Sequence, residues 1–195
     1  MSSFEVPLMP QILVSLYFED MVHFELMWLL CIDAHSKYPY VAKLDVGKTT
    51  SKDTTEISRH IFITEGLPRT IVTDNGPQFS SAEFNQFCTM HGINHITSPP
   101  FHPASNGEAE RFVQSLKRAV EKNCSGGETL KTALRLFLTT YRCMPHPMLD
   151  WKSPAEVLHG RQPRNALTLF SPDNHQQLQQ SNEEVKFKAL QYDRL

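Results

Sequence analysis

An α/β fold, with a mixed sheet flanked by helices, is predicted by two patterns in this sequence. Short apolar runs of strand length alternate with amphipathic stretches at helical spacing, and most of those stretches open on a capping pattern. Residues 1–20 show no clear periodicity and little turn chemistry. From Leu26 to Ile32 an apolar run reads as a buried strand, Asp33 to Lys37 as a turn, and Tyr38 to Leu44 as an antiparallel return strand. Asp53-x-x-Glu56 has the form of a capping box, for a helix that stops at Gly66. Arg69 to Thr73 is a short strand ending at Asp74. Ser80-x-x-Glu83 opens a second helix carrying Phe84, Phe87 and Cys88, which Gly92 stops, and Asn94 to Thr97 is a further strand. Ser98 to Gly107, rich in proline and small polar residues, reads as a loop. Ser105-x-x-Glu108 then caps a helix with Phe112, Val113, Leu116 and Val120 on one face. Ser125-Gly126-Gly127 breaks that helix, and another follows with Leu130, Leu134, Phe137 and Tyr141 on its face. Ser153-Pro154-Ala155-Glu156 opens a short last helix.

Composition narrows the class. A chain of 195 residues that is 40% apolar can build one core of ordinary size. Cys31, Cys88, Cys124 and Cys143 lie far apart, which suggests a reducing compartment rather than a disulfide framework. The apolar stretch from Phe24 to Ile32 is too short to span a membrane and contains Glu25, and no secretory signal opens the chain. A net charge of −2 argues weakly against a free-standing DNA binder, because phosphate neutralisation by lysine and arginine supplies much of DNA affinity.

Two carboxylates carry the functional argument. Asp74 ends an apolar run in Thr70-Ile71-Val72-Thr73-Asp74-Asn75-Gly76-Pro77-Gln78-Phe79, and Glu110 follows after 35 intervening residues. Carboxylates on rigid neighbouring elements can share a hard divalent cation, the arrangement that metal-assisted phosphoryl transfer requires. Gln114 and Lys117 follow Glu110 at i+4 and i+7, so polar groups line one exposed helix face. Each signal alone has a plainer reading. Asp-Asn-Gly is a turn signal, and a glutamate or lysine on a polar helix face is ordinarily solvated. Cys88-x-x-His91-x-x-x-His95 has metal-ligand spacing but crosses a helix end into a strand without a fourth ligand, which disfavours structural zinc.

The segments Cys31 to Tyr38, Ile71 to Phe79 and Phe101 to Lys117, then Arg142, Pro145-His146 and Lys152 to Glu156, resemble in order the motifs of Gypsy-type retrotransposon integrase catalytic cores. The resemblance runs from about Met27 to about Leu169. It implies an RNase H-like fold: a mixed five-stranded sheet, here with a degenerate first strand. By the same resemblance Asp74 and Glu110 match the second and third catalytic acids of a polynucleotidyl transferase. These acids are the metal ligands for two Mg2+ or Mn2+ ions, one activating the attacking oxygen and the other stabilising the leaving oxygen. Asn106 and Lys117 match positions that contact the DNA end, and His102 and Ser105 lie in the loop that orders around it. The implied partners are the element's DNA ends, target DNA and further copies of the chain. The implied location is nuclear and/or cytoplasmic, with no membrane association.

This sequence departs from the family where the first acid belongs. Counting back from Asp33 lands on Phe18, within Leu16-Tyr17-Phe18-Glu19-Asp20, where no His-Ile-Asp-Phe-type strand stands. Asp33 matches the acidic residue of the turn between the second and third strands, which leaves Glu19 or Asp20 as substitutes. The upstream zinc-binding module and the downstream β-barrel of the family are not evident either. The expected organisation is a degenerate segment over 1–26, a catalytic core over 27–170, and a polar linker or tail over 171–195. The expected function is DNA integration by 3′-end processing and strand transfer, impaired by an incomplete two-metal site. The alternative is a domesticated or decaying module that binds nucleic acid or protein without catalysis.

Overall fold

The run from Met27 to Asp33 is apolar because both of its faces are covered. The computed structural model describes residues 12–17, 27–44, 50–97 and 103–164, with backbone alone for 12–17 and 103–109. In it this run is strand β2 (Met27–Asp33). Leu29 and Cys31 join one buried cluster, whereas Leu30 and Ile32 join another. Alternate residues of a strand face opposite ways, so the sheet carries a core on each side.

Five strands form that sheet: β1 (Ile12–Tyr17), β2, β3 (Pro39–Leu44), β4 (Thr70–Thr73) and β5 (Asn94–Thr97), in spatial order β3-β2-β1-β4-β5. β1, β2 and β3 pair antiparallel, while β4 runs parallel to β1 and β5 parallel to β4. The mixed sheet is therefore the expected one. Helices α1 (Ser51–Glu65) and α2 (Ala82–Met90) cover the first core through Phe62, Phe84, Phe87 and Cys88. Helices α3 (Pro103–Ser125) and α4 (Leu130–Cys143) cover the second through Phe112 and Val113, backed by Phe137, Leu138 and Tyr141. A short helix α5 (Pro154–His159) packs against α4. The chain divides into compact units Met1–Arg161 and Gln162–Leu195, and every described element lies in the first. No helix among the described residues is long and apolar enough to cross a membrane.

Several boundaries differ from the sequence reading. β1 is the central strand, yet no periodicity or turn signal marked it, and the count that reached Phe18 overshoots its last residue, Tyr17. The expected loop Ser98–Gly107 is helical from Pro103 onward, because proline is well suited to a first turn, where its missing N–H is not needed. Ser105 therefore lies inside α3 and is not its cap. Thr50 caps α1, accepting from Asp53 N at 3.2 Å, so Asp53 holds the third helical position and not the cap. At α2 the cap is Ser81, accepting from Phe84 N at 3.1 Å, one residue after the expected Ser80. Ser153 caps α5 with Pro154 at its first position, as expected.

Arg142 at the end of α4 ties the second helical layer to the sheet edge. Its Nε and a terminal nitrogen donate to the Pro39 carbonyl at 3.2 and 2.8 Å, and its guanidinium lies 4.6 Å from the centre of the Tyr38 ring. Arg142→Ala is expected to cost about 2 kcal/mol in urea denaturation, with Arg142→Lys recovering only part, since an ammonium lacks the planar fork.

Candidate metal centre at the end of β4

Asp74 follows a strand end that is held from below. Thr73 is fully buried, and its hydroxyl donates to the Asp74 carbonyl at 2.9 Å. His95 Nε2 lies 2.8 Å from the same hydroxyl oxygen. The other ring nitrogen lies 3.1 Å from the Asn85 side chain of α2, and Phe84 packs edge-on to the imidazole at 5.1 Å. Burial holds the His95 pKa below its ordinary value, which favours the neutral ring. Ile71 and Thr73 thus face the α1/α2 side. Alternation carried one residue past the strand directs Asp74 to the α3/α4 side.

The turn after Asp74 is built around an absent side chain. The Gly76 N–H donates to Asp74 Oδ1 at 2.9 Å, while the Gly76 carbonyl accepts from Phe79 N and Ser80 N at 3.0 and 3.1 Å. A Cβ on Gly76 would stand 2.3 Å from Gln78 Nε2 and 3.0 Å from Asp74 Oδ1. Glycine is required here by space. Gln78 is only 3% exposed, and among the described residues its Nε2 has no hydrogen-bond partner. Asp74 is half-buried, and desolvation pushes its carboxyl above the usual carboxylate range, offset in part by the Gly76 N–H.

Glu110 is exposed on α3, two positions before the buried Phe112. α3, which carries Glu110, packs against β1, and β1 pairs with β4, at whose end Asp74 lies. Gln114 is exposed and Lys117 half-buried on the same helix. Asn106 and Ser105 lie in α3 with side chains outside the described residues, and His102 lies outside them altogether.

β1 supplies no third carboxylate. Its parallel register sets Ile12 against Ile71 and Leu13 against Val72; continued, it sets Ser15 against Asp74. No residue from Ile12 to Tyr17 is acidic, and Glu19 and Asp20 lie outside the described residues. Asp33 is buried at 1% exposure, and its carboxylate accepts from the Ser36 N–H at 2.8 Å and from the Ser36 hydroxyl, so it braces the β2–β3 turn. Among the described residues no three histidine, cysteine or acidic side chains converge. The spacing Cys88-x-x-His91-x-x-x-His95 makes no metal site either. The Cys88 thiol is buried in the core, its pKa pushed up to about 11 by desolvation, His91 Nδ1 lies 2.8 Å from the Phe87 carbonyl, and His95 serves Thr73.

The donor set suits a hard divalent cation in kind, since carboxylate oxygens are what such ions take, and the orphaned amide and the glycine cradle border one of them. The roles of Thr73, Asn85, His95 and Gln78 were not legible in the sequence. Thr73 and Gln78 flank Asp74 in its sequence run and His95 ends the Cys88-x-x-His91-x-x-x-His95 spacing, but nothing in either marks the Gln78 amide as buried.

Two expectations follow. Gly76→Ala should destabilise the fold by roughly 1–3 kcal/mol in chemical denaturation, because the buried Gln78 amide has little room to retreat. Asp74→Asn should raise the thermal midpoint at neutral pH. A carboxylate whose folded pKa is raised costs stability above that pKa, and the cost disappears below its unfolded value, so the two proteins should converge as pH falls through the carboxylate range.

The chain is similar to known proteins over this same region. The family described as the TnsB C-terminal domain matches residues 40–126. An uncharacterized protein of Caenorhabditis elegans is 41% identical over 145 residues, 74% of this chain and 11% of its own length. The Gag-Pro-Pol polyprotein of Mason-Pfizer monkey virus is 42% identical over 91 residues, 47% of this chain and 5% of its own. The chain thus spans a small fraction of these curated relatives. Among solved structures, a simian T-cell lymphotropic virus intasome in complex with PP2A regulatory subunit B56 gamma superposes with a TM-score of 0.66 at 25% identity, over 81% of this chain and 58% of that one. The HTLV-2 integrase catalytic core domain in complex with magnesium superposes with a TM-score of 0.63 at 24% identity, over 77% of this chain and 97% of that one. The order of strands and helices, the carboxylates of β4 and α3 and these likenesses agree: the chain is an integrase core domain of the retroviral and retrotransposon type, with an RNase H-like fold.

Proposed function

We propose that this domain is the core of a Gypsy-type retrotransposon integrase whose metal-dependent 3′-end processing and strand transfer are impaired. The observation that carries the reading is the register of β1 on β4, which puts Ser15 in the position beside Asp74. Asp74 and Glu110 would hold the metal, Mg2+ or Mn2+, and bound metal supplies activation of the attacking oxygen and charge stabilisation at the leaving oxygen. With one carboxylate of three missing, a hard cation is held loosely, and a misplacement of about 1 Å can cost roughly a hundredfold in rate.

The remaining roles follow the same reading. Asn106 and Lys117, on the helix that carries Glu110, would contact the backbone and end of a DNA substrate, with His102 and Ser105 beside them. The solved neighbours include an intasome, a magnesium complex, and dimeric and trimeric forms of one core, which supports DNA as partner, a divalent ion as cofactor and self-association. Acting on chromosomal and element DNA would require the protein to be in the nucleus and/or cytoplasm. The neutral β1 also favours a second reading, a remnant that binds nucleic acid or protein without catalysis.

The test is strand transfer and disintegration of a branched DNA substrate with Mn2+, comparing wild type with Ser15→Asp. We expect both to bind DNA and Ser15→Asp to act on the order of a hundredfold faster. Equal and robust activity in the two would contradict the impairment. Retained DNA binding with no activity in either would establish the non-catalytic reading.

A further inference from the structure

We infer that Gln78 is a positioning residue of the Asp74 site, its carboxamide donating from Nε2 to a water on a divalent cation held by Asp74. This rests on the metal reading proposed above.

Three observations converge on it. Gln78 is 3% exposed, and its Nε2 is enclosed and without an acceptor among the described residues. A buried donor left unpaired costs on the order of 1–3 kcal/mol, so the fold carries this amide at a loss that a bound oxygen would recover. Next, the point where a Gly76 Cβ would stand lies 2.3 Å from Gln78 Nε2 and 3.0 Å from Asp74 Oδ1. The amide thus packs over the glycine, in the space a side chain would take, with the carboxylate beside it. Third, Asp74 Oδ1 already accepts from the Gly76 N–H at 2.9 Å, which fixes the carboxylate while leaving it lone pairs for a cation.

The chemistry of the amide nitrogen sets its role. An N–H2 group donates and cannot ligate a cation, so Gln78 acts through an oxygen that the cation carries. Groups of this kind orient ligands and bound water, and their loss typically weakens metal affinity about 10–100-fold. A purely structural amide would instead be bonded to protein, and its loss would appear as lost stability.

The experiment is a Mn2+ titration of the full chain, read by water-proton relaxation and paired with thermal denaturation, for wild type, Gln78→Met, Gln78→Asn and Asp74→Asn. Gln78→Met keeps the length and removes the donor; Gln78→Asn keeps an amide but withdraws it. We expect Asp74→Asn to abolish binding and Gln78→Met to weaken it about tenfold or more, with an unchanged or raised thermal midpoint. Gln78→Asn should also weaken it, and it carries the test if Gln78→Met does not fold. Unchanged Mn2+ affinity in the folded Gln78 variant, with binding still lost in Asp74→Asn, would overturn the role of Gln78 alone. Absence of Mn2+ binding in wild type would overturn the metal reading and this inference together.

Discussion

The parallel pairing of β1 with β4 is the contact on which the rest of the architecture depends. β1 joins the antiparallel half of the sheet, β2 and β3, to the parallel half, β4 and β5. Without it neither half would be wide enough to separate two cores, and β2 would not bury Leu29 and Cys31 on one side with Leu30 and Ile32 on the other. The same pairing sets β4, which ends at Asp74, beside the strand on which α3 packs. Backbone hydrogen bonds between strands are indifferent to side-chain chemistry. A strand reading Ile-Leu-Val-Ser-Leu-Tyr, without an acidic residue, can therefore fill the central slot between β2 and β4.

The carboxylate that remains on β4 is set up at some cost to the fold. Thr73, His95 and Asn85 pin the strand end from the α2 side, and Gly76 and Gln78 shape the turn on the other. Desolvation raises the Asp74 pKa, a penalty that a bound cation would cancel. Stability alone would favour a neutral residue there.

Much of this was legible in the sequence, and the exceptions have physical reasons. β2 to β5 and the helices announced themselves through burial periodicity, capping and glycine stops, since those depend on local backbone needs. Asp74 and Glu110 stood out as candidates because their flanks are long and specific. β1 escaped because a short apolar run with no turn signals beside it looks the same whether it is central or peripheral. Pro103 misled because proline-rich composition signals a loop and a helix start equally well. Gln78 and His95 were invisible as site residues: their significance lies in burial and partners more than ten residues away or across a turn, which residue type does not encode.

The account stands on β1 occupying the central slot as a neutral strand. Native-state hydrogen exchange at the backbone amides of Leu13 to Leu16 measures this most directly. The account predicts protection matching that of Ile71 and Val72 in β4, near the level of global unfolding. Exchange at the rate of an unstructured segment, alongside protected β2 and β4, would contradict it.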